Sequence, residues 1–446
     1  MSRNQAMADA CDTIYAVSTA HGRAAIAVVR VSGPNADDAL RATTGEPLPS
    51  PRLATLRQVR DARGALIDHA LVLWFPKRTS ATGEDVAEFH LHGGRATVDA
   101  VLKALACVSG LRAAEPGEFT RRAVENGKLD LTRAEAIADL IDAQTPAQQR
   151  QALRQFEGAL AALYDDWRAR LISVLGWAEA AIDFSEEDLP PDLEPRLRQP
   201  VEALRAEMQR HLDDSRAGEI TREGLFLTII GAPNAGKSSL LNALSRRDIA
   251  IVSETPGTTR DILETRFDIG GHVVHIADTA GLRDTGDAIE SEGVRRALAR
   301  AAASDMTLLV LDASVEDPFA GLDRDAIAHA TFIAWNKCDL PRSRPRQGTH
   351  ISAKTGAGLE TLLARIAEEV RSRLERPRET PPMTRARHRE NVAAAVDALS
   401  RAVQQDQSEL MAEDLRLALR AIGRLTGRVD IEELLDTVFR DFCIGK

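Results

Sequence analysis

The chain has 446 residues, 44% of them apolar, which is enough for several buried cores and excludes global disorder. Its formal net charge of −10 excludes a protein that coats nucleic acid indiscriminately and leaves room only for a locally basic face. Four scattered cysteines (Cys11, Cys107, Cys338, Cys443), with no CxxC pair, exclude a disulfide framework or a zinc finger.

The opening MSRNQAMADACD lacks a basic stretch followed by an apolar core, so no secretory leader is expected. No run approaches the ~18 apolar residues of a membrane span. A cytoplasmic chain of about three domains follows from that and from its length. Residues 12–110 mix β-branched runs (13–18, 25–31, 70–75, 86–92) with turns at Gly33-Pro34, at Pro47 to Pro51 and at Gly93-Gly94. With a helix over about 97–105, this stretch reads as an α+β domain. From about Asp130 the pattern becomes helical. Leu153, Phe156, Leu160, Leu163, Trp167, Leu171 and Val174 recur every three or four residues and predict one long helix over 146–184, ended before Pro190-Pro191. Leu193, Leu197, Val201, Leu204, Met208 and Leu212 mark a second. The helical pattern resumes after Pro381-Pro382 with Val392, Val396, Leu399 and Val403, then Ile431, Leu434, Leu435 and Val438. Between the two helical stretches, residues 225–230, 265–269, 272–278, 306–312 and 331–335 read as strands alternating with helices. Gly270-Gly271 makes a hairpin turn, and the remaining connections suit a mostly parallel sheet. The flanking stripes are expected to pack on each other, with this strand–helix module inserted between them.

The module carries the chemistry. GAPNAGKS (231–238) matches GxxxxGK[ST] between a strand and a helix. Its glycines let backbone N–H groups wrap phosphates at a helix start. Asn234, Ala235, Gly236, Lys237, Ser238 and Ser239 are candidate nucleotide contacts, Lys237 for the β- and γ-phosphates and the Ser238 hydroxyl for Mg²⁺. SETPGTTRD (253–261) adds Thr258 and Thr259, with Thr259 a second Mg²⁺ ligand. DTAG (Asp278, Thr279, Ala280, Gly281) offers a carboxylate for the Mg²⁺ shell and an amide to sense the γ-phosphate. In NKCD (Asn336, Lys337, Asp339) the Asp339 carboxylate can accept from guanine N1 and N2, a donor pair that adenine lacks. In SAK (Ser352, Ala353, Lys354) a backbone amide can meet guanine O6. GAPNAGKS, DTAG, NKCD and SAK follow in the order expected of a nucleotide site, and NKCD selects GTP. Many regulatory GTPases place glutamine directly after DxxG to orient water. Here Leu282 stands there and cannot.

The combination PNAGKS, GTTRD and DTAGLR resembles the group that includes bacterial tRNA-modification and ribosome-assembly GTPases. The flanks DTIYAVST, GRAAIAVVRVSG, TGEDVAEFHLHGG, PGEFTRRAVENGKLDLTRAEAIADLIDA and FCIGK narrow this, because together they resemble the MnmE/TrmE family over essentially the whole chain. The resemblance implies a multi-domain α/β and α architecture. It has an N-terminal α+β folate-binding-type and dimerisation domain (1–122), a helical domain (123–218 and 380–446) and an inserted Ras-like P-loop GTPase domain (219–379). It implies a homodimer that works with the flavoprotein MnmG on tRNA. The pair installs a carboxymethylaminomethyl-type group at C5 of the wobble uridine, with a 5-formyl or methylene tetrahydrofolate derivative as one-carbon source. The family's folate contacts fall on Arg30, Glu88, Lys128 and Lys446, its C-terminal cysteine on Cys443 and its catalytic carboxylate on Glu290. Its K⁺ ligands fall on Asn234, Ser253, Thr255 and Thr258. One departure is the segment from Ala20 to Ala25, where the family has a Pro-Pro-Gly-Arg-Gly-Gly turn. The competing expectation is a ribosome-assembly or regulatory GTPase switch. Such relatives carry a second GxxxxGKS or a KH segment, and the sequence has neither.

Overall fold

The computed structural model describes residues 12–445 except 21, 184–192, 215, 248, 252–263, 279–303, 321, 323–326, 341–346, 376–379, 406, 430–434, 436–437, 440–441 and 443–444. Two compact units form, residues 1–138 with 419–446 and residues 139–418.

The first unit is built on six strands, β1 (Thr13–Val17), β2 (Ile26–Ser32), β3 (Thr55–Arg60), β4 (Leu66–Phe75), β5 (Val86–His92) and β6 (Leu111–Ala113), in the order β3-β4-β5-β2-β1-β6. All neighbours are antiparallel except β1 and β6. Period-two alternation sends Val29, Val31, Val72, Trp74, Phe89 and Leu91 to one face, where helices Ala36–Thr44 and Arg95–Ala106 cover them. The predicted helix over 97–105 is there, two residues longer at its start. Strands β3 and β6 were not anticipated, because β3 buries only Val59 and β6 is three residues long. On the other side of β1, Ile14 and Ala16 pack with Ala114 and Phe119. The chain's end belongs to this unit as well. Leu435 and Phe439 close over Leu131 and Ala134, and the Ser18 hydroxyl donates to the Gly445 carbonyl at 2.9 Å. Gly445 has φ +97, and a Cβ there would sit 2.0 Å from the Val17 carbonyl oxygen, so only glycine lies this close to β1.

The second unit contains a seven-stranded sheet of β7 (Leu225–Ile230), β8 (Ala250–Ile251), β9 (Glu264–Ile269), β10 (His272–Asp278), β11 (Met306–Asp312), β12 (Phe332–Asn336) and β13 (Thr349–His350). The order is β13-β12-β11-β7-β10-β9-β8, parallel from β13 to β10 and antiparallel at β9 and β8. The mostly parallel sheet read from the sequence is therefore present. Gly270 (φ +67) and Gly271 (φ +86) turn β9 into β10, and two consecutive positive φ angles are what a two-residue hairpin loop demands. Helices Lys237–Ser245 and Leu359–Leu374 supply Leu240, Leu244, Leu362, Ile366 and Val370 to the core.

One helix over 146–184 is not what forms. The chain makes Pro146–Phe156, breaks at Glu157-Gly158 with Gly158 at φ +95, and restarts as Ala159–Asp183. The break rotates the stripe, leaving Leu153 and Phe156 about 40% exposed while Leu160, Trp167, Leu171 and Val174 are buried. Helices Leu193–Leu212 and Ala386–Gln404 pack together as the flanking stripes suggested. Arg389 links them to the chain that leads into the sheet, donating to the Leu212 carbonyl and pairing with Asp214 and Glu219 at 2.9 and 2.8 Å. Helix Ser408–Thr426 has no counterpart in the sequence reading, although Met411, Leu415, Ala418, Ile422 and Leu425 repeat at four and three residues and are buried. Of the last predicted stripe, Ile431 and Leu434 lie outside the described residues.

Candidate functional site

The sheet's parallel order brings the ends of β7, β11 and β12 to one edge. β7 runs into GAPNAGKS, whose lysine opens helix Lys237–Ser245 behind Gly236 at φ +95. Asn234 also takes a positive φ, +62, so the loop bends where a non-glycine residue rarely does. Lys237 is 5% exposed and its ammonium donates to the Gly231 and Ala232 carbonyls, each at 2.9 Å. The loop thus holds its own lysine curled inward. The Asn234, Ser238 and Ser239 side chains face solvent.

Asn336 ties three motifs into one site. It is 2% exposed; its Nδ2 donates to the Ala235 carbonyl at 2.8 Å and its Oδ1 accepts from the Ala353 N–H at 3.0 Å. GAPNAGKS, NKCD and SAK therefore share one side chain as a brace. Lys337, at φ +65, reaches back to Asp312 at 2.6 Å. Burial pushes the Asp312 carboxyl up, but Lys337 and Ser314 outweigh it and hold the group below its ordinary value. Asp339 is exposed, and a hydrogen bond from Ser352, helped by the charge of Lys354, keeps its carboxyl below the ordinary carboxylate value. An ionised, exposed carboxylate is the state that accepts two N–H donors. Asp278 ends β10 in register with Ile229 of β7, which brings the start of DTAG beside the strand that feeds the phosphate loop.

Close approach makes two glycines irreplaceable here. A Cβ on Gly231 would lie 2.2 Å from the Val310 carbonyl oxygen, and one on Gly236 would lie 2.2 Å from Asn336 Nδ2. Gly236→Ala is expected to displace the brace and cost at least tenfold in nucleotide affinity, about 1.4 kcal/mol, as read by titration with a fluorescent nucleotide.

In the first unit the structure brings two predicted residues together. Arg30 and Glu88 stand opposite each other on β2 and β5 and form an ion pair at 2.9 Å. The Arg30 guanidinium lies 5.7 Å from the centroid of the Phe119 ring, and His90 Nε2 is 3.4 Å from Glu88. Lys128 donates to the Arg78 carbonyl at 2.9 Å. Gly445, one residue before Lys446, rests on Val17, whose β2 partner is Val29 beside Arg30. Ser253, Thr255, Thr258, Thr259, Thr279, Ala280, Gly281, Glu290, Cys443, Lys446 and the side chain of Asp278 lie outside the described residues.

Sequence reasoning missed a buried charge network next to that sheet. Arg122, 5% exposed, donates to Asp12 at 2.7 Å, Glu84 at 3.2 Å and Glu118 at 2.9 Å, while Arg112 pairs with Glu118 at 2.6 Å and with Asp12. The signal available was PGEFTRR, where Glu118 and Arg122 stand four apart on one helix face.

Two family models match the chain: "MnmE helical domain" over residues 131–443 and "GTP-binding protein TrmE N-terminus" over residues 13–128. A protein of Parvibaculum lavamentivorans called "tRNA modification GTPase MnmE" is 55% identical over 441 residues, 98% of this chain and 100% of its own length. One of the same description from Paramagnetospirillum magneticum is 54% identical with the same coverage. Among solved structures, the G domain of the T. maritima FeoB iron transporter is 25% identical, covering 32% of this chain and 97% of its own, with a TM-score of 0.24.

Proposed function

This chain belongs to the MnmE/TrmE family of tRNA-modification GTPases, and from that premise we propose that it hydrolyses GTP to drive modification of the tRNA wobble uridine. It is a GTPase of tRNA modification; the finer reading concerns its chemistry, partners and sites. The observation that carries it is the Asn336 brace, which supports GAPNAGKS, NKCD and SAK acting as one guanine-nucleotide site. Residues 219–379 form the GTPase domain of this reading, 123–218 with 380–446 the helical domain and 1–122 the folate and dimerisation domain.

In the GTP site Lys237 exchanges the Gly231 and Ala232 carbonyls for phosphate oxygens, and Asp339 accepts the guanine donors while a backbone amide of SAK meets O6. The residues fit a hard cation at the phosphates, since the Ser238 side chain is exposed at the helix start; Thr259 is its second oxygen. Asn234, exposed on the bent loop, suits K⁺ through its amide oxygen, with Ser253, Thr255 and Thr258 as further neutral ligands. Such a cation supplies positive charge to the transition state in the place where an arginine acts in other GTPases. Glu290 takes the role of orienting water, which Leu282 cannot fill.

The folate reading draws support from Arg30 and Glu88. The carboxylate suits the donor edge of a pterin, and the arginine, freed from Glu88, suits the anionic glutamate tail. Lys128 and Lys446 add charge for the same tail, and Cys443 lies in the same C-terminal motif. The products are an aminomethyl-type group on uridine C5, made by a homodimer together with MnmG, in the cytoplasm. No helix among the described residues is long and apolar enough to cross a membrane.

Asp339→Asn tests the nucleotide assignment. An amide can accept only one of the two guanine donors and offers its own N–H₂ to the oxo group of xanthine, so preference is expected to move from GTP toward xanthosine triphosphate. Unchanged GTP preference would remove the assignment. Turnover faster in K⁺ than in Na⁺, with loss in Glu290→Ala but nucleotide binding intact, is the expected signature of the hydrolytic step. Equal rates in the two salts would remove the K⁺ site.

A further inference from the structure

The hairpin of β9 and β10 joins two chemically different places. At its open end β9 follows the SETPGTTRD segment, assigned to metal binding, and β10 stops at Asp278, where the segment assigned to γ-phosphate sensing begins. At its closed end the Gly270-Gly271 turn meets helix Pro146–Phe156. The Ala147 N–H, one of the donors that a helix start leaves without an intrahelical partner, donates to the Gly271 carbonyl at 3.2 Å.

Two glutamines make this joint directional. Gln148 Oε1 accepts from the Gln144 and Thr145 N–H groups at 2.8 and 3.2 Å, completing a capping box, while its Nε2 donates to the Arg222 carbonyl at 2.9 Å. One turn later Gln151 Nε2 donates to the Gly218 carbonyl at 2.9 Å. Both carbonyls lie on the short helix Ala217–Glu223, which is itself fixed to β10. His275 Nε2 donates to the Glu223 carbonyl at 2.9 Å, its ring stacks on Phe226 at 4.6 Å, and a Cβ on Gly224 would collide with that ring at 2.7 Å. Helix Pro146–Phe156 thus grips the hairpin turn and the short helix by three hydrogen bonds to backbone carbonyls.

Around these bonds the joint is open rather than packed. A cavity of about 970 Å³ adjoins it, with Arg150, Arg154, Thr221, His272, Glu375 and Thr380 in its wall. His272, the first residue of β10, is 4% exposed and holds Glu375 at 3.2 Å through Nε2, while its Nδ1 has no partner among the described residues. Open space beside a few hydrogen bonds gives the parts room to shear.

We propose that the β9–β10 hairpin and helix Pro146–Phe156 form a mechanical link that carries the nucleotide state to the helical part of the chain, with Gln148 and Gln151 as its grip. The link rests on the GTP reading above. A hairpin leg of seven residues spans about 24 Å, so a small tilt at the phosphate end becomes a displacement of the turn at the far end. Ala147 and the two glutamines pass that displacement into the helix.

Hydrogen exchange on the intact protein tests this, comparing GDP with a non-hydrolysable GTP analogue in Mg²⁺ and K⁺. Exchange over residues 146–156 is expected to differ about fivefold or more between the two nucleotides, the scale of a typical coupling. In the double variant Gln148→Glu/Gln151→Glu, which leaves only the Ala147 bond to Gly271, the difference is expected to fall by at least half. Glutamate keeps the capping-box acceptor but loses both Nε2 donors, so the helix start is retained. Protection over residues 231–239 on binding the analogue is expected to be unchanged in the variant. Identical exchange over 146–156 with both nucleotides in the wild type, or a variant that keeps more than half of the wild-type difference, would overturn the link. No protection over 231–239 in the wild type would count first against the GTP reading, and the link would go with it.

Discussion

Asn336→Ala is expected to lower GTP affinity by two orders of magnitude or more. The substitution leaves the Ala235 carbonyl and the Ala353 N–H without their partner in a site where Asn336 is 2% exposed. Each buried group so orphaned costs about 1–3 kcal/mol, and about 1.4 kcal/mol is tenfold in affinity. The loss arises without touching the nucleotide, because the phosphate loop and the guanine loops cease to hold each other. Asn336→Asp separates the two bonds: it keeps the acceptor for Ala353 and sets a negative charge against the Ala235 carbonyl. Titration with a fluorescent guanine nucleotide checks both variants, and near-wild-type binding by Asn336→Ala would show the brace to be dispensable.

Arg122→Met is expected to be the most destabilising single change in the first unit. It removes a cation shared by Asp12, Glu84 and Glu118; Arg112 still pairs with Asp12 and Glu118, while Glu84 loses its arginine. Breaking a buried pair from one side costs about 3–5 kcal/mol, a large share of the roughly 5–15 kcal/mol that holds a domain folded. Urea unfolding should show the loss as a lower midpoint. The same network sets an acid limit. Burial pushes the Glu118 carboxyl up, but hydrogen bonds from Arg112 and the Glu115 N–H, with the charge of Arg122, outweigh it and hold it below its ordinary value of 4.5. A depressed folded value gives stability that is full above the unfolded pKa and lost as pH falls through the folded one. Stability should therefore decline below about pH 4.5, and Glu118→Gln should flatten that decline while lowering stability at neutral pH.

The chemistry was legible in the sequence where it is local. GAPNAGKS and NKCD each fit within eight residues, and their spacing states what the backbone must do. The brace between them was not legible, because Asn336 and Ala235 stand 101 positions apart and only the parallel order of β7, β11 and β12 brings them together. Residue type alone marks Arg30 and Glu88 as suited to a ligand, while their direct pairing depends on the register of β2 on β5. The long helix over 146–184 misled for a physical reason. Apolar spacing of three and four continues across Glu157-Gly158, so periodicity cannot see the break; the glycine, free to take φ +95, was the sign of it. Strand β13, two residues long, has no pattern to read.

The first unit is assembled from both ends of the chain, with Leu435 and Phe439 closing over Leu131 and Ala134. During synthesis its strands leave the ribosome first, but its last pieces must wait for everything between. At about 5–20 residues per second, the stretch from 139 to 418 delays them by roughly half a minute. For that interval Leu131 and Ala134, both fully buried in the finished protein, have no cover from the carboxyl-terminal segment. The nascent chain therefore carries an adhesive patch for far longer than hairpins and helices take to form, on the order of microseconds. A chaperone that binds apolar segments near the ribosome exit should find a client site here, around residues 124–134.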